Sequence, residues 1–171
     1  MTAKIRVALA GNPNAGKTTI FNTLTGSHQH VGNWPGKTIE RKSGTFKHAD
    51  YEVEIVDLPG TYSLSAYSPE ELIARNFLLQ ESPDLVIIVV DAANLERNLY
   101  LAVQVLELDI PAILVLNMMD MAQSRGFEFD IDKLSRALGV PIVTAVARKE
   151  QGLKELKDEI IHSAGRSYAY A

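Results

Sequence analysis

With 171 residues, 46% hydrophobic and 22% charged, the chain is long enough for one domain with a sizeable core and has an ordinary globular balance. A net charge of −4 gives no electrostatic reason for nucleic-acid binding, and the absence of cysteine excludes disulfides, thiolate metal sites and cysteine nucleophiles. The longest apolar runs, residues 85–90 and 112–116, are too short to span a bilayer, and Met1-Thr2-Ala3-Lys4 brings no apolar leader.

Residues 5–10, Ile-Arg-Val-Ala-Leu-Ala, read as a buried strand, and residues 19–24 as the first turns of a helix that Gly26 can close. Between them stands Gly11-Asn12-Pro13-Asn14-Ala15-Gly16-Lys17-Thr18, which fits G-x-x-x-x-G-K-[ST] in the strand–loop–helix setting a P-loop requires. Its glycines let successive N–H groups point at phosphate oxygens, and the helix N-terminus adds partial positive charge. Lys17 would reach the β- and γ-phosphates, and Thr18, with Thr19 beside it, would face the nucleotide, the Thr18 hydroxyl on Mg²⁺.

A turn-rich stretch, residues 27–42, fits neither period and reads as a long functional loop. Residues 44–47 and 52–56 read as an antiparallel hairpin pair, the second strand ending at Asp57-Leu58-Pro59-Gly60. Asp57 there can hold a Mg²⁺-bound water, and the Gly60 N–H can meet a γ-phosphate. On its own Asp-Leu-Pro-Gly is a common turn; its place after a P-loop makes it the metal-side motif. Ser68, Pro69 and Glu70 cap a helix to Gln80.

Residues 85–90 form a buried strand ending at Asp91, followed by a helix from about 97 to 108. Residues 112–116 form the next strand, ending at Asn117-Met118-Met119-Asp120. An aspartate carboxylate accepts from the N1–H and exocyclic amine of guanine, a donor pair adenine does not present. Asp130 caps a helix through Leu138 that Gly139 terminates; residues 141–145 are the last strand and 152–161 the last helix. The base-side loop falls at Val146-Ala147, where backbone N–H groups would hold the base. Strands alternating with helices give an α/β, three-layer fold: a mostly parallel six-stranded sheet with one antiparallel strand and helices on both faces.

These motifs are similar to those of translation-factor-class GTPases with the Ras-like P-loop fold, except that Met118 stands where lysine is usual, which implies weaker nucleotide binding. Four stretches together, residues 11–18, Val31-Gly32-Asn33-Trp34-Pro35-Gly36-Lys37-Thr38, Asp57-Leu58-Pro59-Gly60-Thr61-Tyr62-Ser63-Leu64 and residues 90–101, resemble the N-terminal G domain of the ferrous iron transport protein B (FeoB) family, from about Lys4 to Ile161. The second and fourth are specific to that family.

The resemblance implies a G domain over residues 1–163 and a tail, 164–171, that either frays or begins a helical domain. It also implies a GTPase whose loop bearing Gly36, Lys37 and Thr38 closes on nucleotide, with Thr38 as second hydroxyl ligand of Mg²⁺. Taken alone, Thr38 is equally an exposed loop threonine. Asn14 stands at the position of a K⁺ ligand that stimulates hydrolysis, with bracing of its own loop as the alternative. Lys17, Asn14, Thr38 and Gly60 are thus the expected catalytic set. Thr61 replaces the usual water-orienting glutamine and is too short for that task, so slow hydrolysis is expected. The expected partners are GTP and GDP, a following helical domain, a membrane region that passes Fe²⁺ into the cell, with this domain on the cytoplasmic side of the cell membrane, and a second copy through the switch face; nucleic acid is not expected. Besides a GTP-hydrolysing switch, a slow nucleotide sensor and a ribosome-associated GTPase are the alternatives. His28 and His30 suggest an iron pair but read better as solvated. Arg97, on the far side of Asp91, reads as structural, and Trp34 as a reporter of nucleotide state.

Overall fold

The computed structural model describes residues 2–169. In chain order the elements are β1 (Ala3–Gly11), α1 (Lys17–Thr25), β2 (Gln29–Asn33), β3 (Glu40–His48), β4 (Tyr51–Asp57), α2 (Pro69–Gln80), β5 (Leu85–Asp91), α3 (Leu95–Leu106), β6 (Ala112–Asn117), α4 (Met119–Ser124), α5 (Ile131–Leu138), β7 (Ile142–Thr144) and α6 (Leu153–Ala169). They build one sheet in the order β2-β3-β4-β1-β5-β6-β7. β1 pairs in parallel with β4 and β5, which continues in parallel to β6 and β7. Only β3 runs against the rest, antiparallel to both β2 and β4.

The sheet is mixed and mostly parallel, as expected, but has seven strands rather than six. The extra strand, β2, lies inside the stretch read as an irregular loop. Its residues are exposed throughout, so no apolar alternation marks it; it exists because its backbone pairs with β3 from Gln29 opposite Gly44 to Asn33 opposite Glu40. The two strands join through a tight turn in which the Trp34 N–H donates to the Ile39 carbonyl at 2.9 Å.

Strand residues alternate between two cores. Ile5, Val7, Leu9, Leu85, Ile87 and Val89 meet Ile20 and Phe21 of α1 and Leu156 and Ile160 of α6. Ala8, Ala10, Val86, Ile88 and Val90 meet Phe77 and Leu78 of α2 and Leu101 and Val105 of α3 on the other face. Both faces are covered, which is why β5 and β6 read as continuous apolar runs.

The helix signals hold where a cap dictates them. Ser68 Oγ accepts from the Glu71 N–H, Asp130 Oδ1 accepts from the Lys133 N–H, and Gly139 closes α5 in a left-handed conformation. α3 begins two residues earlier than expected, after a 3₁₀ turn over Ala92–Asn94 that Asp91 caps. α4 was hidden in the sequence because it is six residues long and opens from Met118 at φ 60°. The backbone of α6 continues past Ile161 to Ala169, and of the tail read at 164–171 the last two residues lie outside the described part of the chain. Among the described residues no helix is long and apolar enough to cross a membrane.

Candidate nucleotide site

Four strand ends converge at one edge of the sheet. β1 ends at Gly11, β4 at Asp57, β5 at Asp91 and β6 at Asn117. Parallel pairing puts these C-terminal ends side by side, the place where open α/β sheets bind ligands. The loop from Asn12 to Gly16 turns over this edge and delivers Lys17 to the first position of α1.

Two left-handed residues shape that loop. Asn14 has φ 68° and Gly16 φ 94°. Asparagine tolerates such a conformation; at Gly16 a side chain is barred twice over. An ideal Cβ there would lie 2.1 Å from the Asn117 amide nitrogen. Gly60 is more mildly crowded: its Cβ would sit 3.3 Å from the Pro13 backbone, so the loop would have to give slightly. The two motif glycines thus let a neighbouring strand end press against the loop.

Asn12, Pro13, Asn14, Gly16, Lys17, Thr18, Gly60 and Met118 line one cavity of about 460 Å³. Thr18 and Thr19 are exposed on the first turn of α1, whose free N–H groups and dipole face the opening. At the cavity's inner wall Lys17 Nζ donates to Asp57 Oδ1 at 2.5 Å and to the Leu58 carbonyl at 2.7 Å. Burial pushes the Asp57 carboxyl above its ordinary range despite the lowering effect of the Lys17 ammonium. A buried carboxylate already matched to a cation, with a threonine hydroxyl nearby on α1, is an all-oxygen donor set of the hard type that suits Mg²⁺.

Asn117 is nearly fully buried and joins three segments. Its Nδ2 donates to the Ala15 carbonyl at 3.0 Å and its Oδ1 accepts from the Ala147 N–H at 3.0 Å. This asparagine fixes the P-loop relative to the loop after β7. The N–H groups of Val146 and Ala147, assigned to the base from sequence, are engaged within the protein: the first donates to the Gln151 carbonyl at 3.1 Å and the second to Asn117. Asp120 sits on α4, where its Oδ1 accepts from the Met121 N–H at 2.9 Å and its Oδ2 accepts from Arg148 Nη2. The Arg148 hydrogen bond holds the Asp120 carboxyl below the usual carboxylate range.

Not every sequence-assigned residue is gathered here. Gly36, Lys37 and Thr38 stand exposed at the β2–β3 turn, and none of them lines this cavity over the P-loop. Trp34 anchors that turn instead, packed edge-on to Phe77 of α2 with ring centroids 5.8 Å apart and the Arg41 guanidinium 5.0 Å above its ring. The Thr61 side chain is buried, and its N–H donates to the Gly11 carbonyl at 3.2 Å.

Arg97 is not on the far side, as its sequence position suggested. Its guanidinium lies 4.8 Å over the ring of Tyr62, and it lines a small polar cavity of about 150 Å³ with Asn12, Asn14, Asp91 and Asn94. The early start of α3 brings it there. Sequence reading also missed Arg148, whose approach to Asp120 depends on β6 and β7 being neighbours.

The family model for Ferrous iron transport protein B matches residues 5–160. The Fe(2+) transport protein A/Fe(2+) transporter FeoB fusion protein of Porphyromonas gingivalis is 57% identical over 158 residues, covering 92% of this chain and 19% of that protein. The chain thus spans about a fifth of the length of such a relative. Among solved structures, the FeoB G domain from Methanococcus jannaschii superposes with a TM-score of 0.85 at 45% identity, covering 95% of this chain and 99% of that one. The cytosolic domain of the T. maritima FeoB iron transporter in a GDP form gives a TM-score of 0.91 at 45% identity, over 94% of this chain and 63% of that one. Fold, P-loop geometry and similarity agree: this chain belongs to the ferrous iron transport protein B family and corresponds to its G domain.

Proposed function

We propose that the chain binds GTP in the cavity over the P-loop, hydrolyses it slowly, and through that cycle regulates ferrous iron uptake by a membrane region of the full-length protein. The observation that carries this reading is the convergence of Lys17, Asp57, Gly60 and Asn117 on one loop at the sheet edge. Residues 1–163 are taken as the G domain, with residues from 164 leading into a following helical domain.

The phosphates lie along the N–H groups between Asn12 and Thr19, and Lys17 leaves Asp57 to reach the β- and γ-phosphates. Thr18 and Asp57 then hold the Mg²⁺ side of the site. Mg²⁺ supplies positive charge against the phosphate oxygens. Thr38 is carried on the β2–β3 turn, so its engagement as a second hydroxyl requires that turn to close over the γ-phosphate, with Gly36 and Lys37. Asn14, exposed at the rim, would ligate K⁺ beside the phosphates, where added positive charge favours the transition state. Asp120 reads the guanine, Met118 covers its edge, and Val146 and Ala147 shape the wall that Asn117 anchors.

The buried Thr61 side chain supports a slow intrinsic rate, since it has no path to an attacking water. The same observation favours a second reading, a nucleotide sensor whose turnover is incidental. Turnover of GTP and of ATP by the purified chain, with Lys17→Ala alongside, tests the proposal. Measurable GTP hydrolysis, absent with ATP and lost in the variant, supports it; no turnover above the variant's level with intact GTP binding leaves the sensor reading.

A further inference from the structure

The loop after β7 does more than close the base side of the site. Its 3₁₀ turn, Ala147–Lys149, is pinned at its first residue by Asn117 Oδ1, which aims the next two side chains back at α4. Arg148 Nη2 donates to Asp120 Oδ2, and Lys149 Nζ lies 3.7 Å from the same oxygen. The other oxygen accepts from the Met121 N–H at 2.9 Å. Two basic side chains therefore crowd the lone pairs of the carboxylate that the proposed function assigns to guanine.

A guanidinium and a guanine edge offer that carboxylate similar chemistry. Each is a rigid planar group with adjacent N–H donors matched to a carboxylate. We infer that Arg148 is an internal competitor of guanine for Asp120, and so sets how fast and how tightly the site takes up guanine nucleotides. The inference rests on the reading that Asp120 recognises guanine. Arg148 is two-thirds exposed at 67%, so it can swing into solvent without a large penalty. An exposed pair of this kind trims affinity about two- to fivefold rather than blocking the site. A supporting role, with Arg148 holding Asp120 ready for the base, predicts the opposite sign.

Stopped-flow binding of a fluorescent GDP analogue to the parent chain, Arg148→Ala, Arg148→Lys, Asp120→Asn and Asp120→Asn/Arg148→Ala tests this. Arg148→Ala should bind about two- to fivefold tighter, mainly through faster association, with Arg148→Lys between it and the parent because it keeps the charge without the planar fork. In the Asp120→Asn background, read with a xanthine nucleotide, the same arginine substitution should change nothing. Equal or weaker GDP binding by Arg148→Ala, with binding still dependent on Asp120, overturns the competition alone. GDP binding indifferent to Asp120→Asn overturns the guanine reading and the competition with it.

Discussion

The Lys17 ammonium bridges the start of α1 to the end of β4, 2.5 Å from Asp57 Oδ1 and 2.7 Å from the Leu58 carbonyl. Both side chains are about nine-tenths buried, at 10% and 11% exposure, so each is the other's principal compensation for leaving water. The pair links the residue proposed to meet phosphate to the residue proposed to face the metal. A ligand that drew Lys17 away would leave the buried Asp57 carboxylate without its cation, so on the proposed function nucleotide and divalent cation uptake are coupled.

Lys17→Met should therefore destabilise the fold by about 3 kcal/mol near neutral pH, the usual loss when one member of a buried pair is removed. Burial already raises the Asp57 pKa, so its charged form weakens the fold: the associated stability is full below the unfolded pKa and is lost as pH rises through the folded one. Without Lys17 that burden grows, and the variant's deficit should shrink on acidification as the carboxyl takes a proton. Urea unfolding of parent and variant at about pH 7.5 and about pH 4.5 measures it. A deficit independent of pH would contradict the assignment.

Gly16 and Asn117 should be energetically coupled. Gly16→Ala forces a Cβ to within 2.1 Å of the Asn117 amide and holds alanine at φ 94°, whereas Asn117→Ala removes both the bridge and the obstacle. Each single substitution should lower stability by about 2 kcal/mol or more. The double variant should lose clearly less than the sum, because the clash is gone and only the backbone strain persists. A double-mutant cycle by thermal or urea unfolding reads the coupling directly.

Guanine selectivity should reside in Asp120. Asp120→Asn replaces one acceptor oxygen by a donor, leaving it opposed to a guanine N–H and complementary to the carbonyl that xanthine carries at that position. Affinity for GDP should fall about a hundredfold or more while that for a xanthine nucleotide rises. Competition titrations with both nucleotides measure this, and unchanged GDP affinity would sink the assignment.

Trp34 should report closure of the β2–β3 turn. For Thr38 to reach a γ-phosphate, the turn that Trp34 anchors against Phe77 has to shift, changing the ring's surroundings. A non-hydrolysable GTP analogue with Mg²⁺ should alter Trp34 emission, and GDP should leave it near that of the free chain. Identical spectra with both nucleotides would place the closure elsewhere.

The parts of the fold legible in the sequence are those where local chemistry leaves little choice. Gly11 to Thr18 carries the spacing of a P-loop, with the left-handed turns at Asn14 and Gly16 that curl its backbone, and β5 and β6 are continuous apolar runs because helices cover both sheet faces. Ser68, Asp130 and Gly139 mark helix ends through their own hydrogen bonds or backbone angles. What escaped depends on partners distant in sequence. Gln29-His30-Val31-Gly32-Asn33 carries no buried face and becomes a strand only by pairing with β3. The two hydrogen bonds of Asn117, to the Ala15 carbonyl and from the Ala147 N–H, the contact of Arg148 with Asp120, and the approach of Arg97 to Tyr62 join segments that the sheet order brings together. The sequence named Asn117 and Asp120 as site residues but could not say that one serves as a brace and the other is shared with an arginine.

GTP turnover by the purified chain in matched KCl and NaCl, repeated with Asn14→Ala, tests the central claim most directly. Asn14 stands exposed at the rim of the cavity over the P-loop, in a left-handed conformation with φ 68°. Hydrolysis accelerated by K⁺ over Na⁺, with the acceleration lost in Asn14→Ala, is the result the GTPase reading predicts. Equal turnover in both salts above the level of Lys17→Ala would overturn the K⁺ site alone and leave Asn14 as a brace of its own loop; turnover no higher than that variant's in either salt would contradict the GTPase reading and leave a nucleotide sensor.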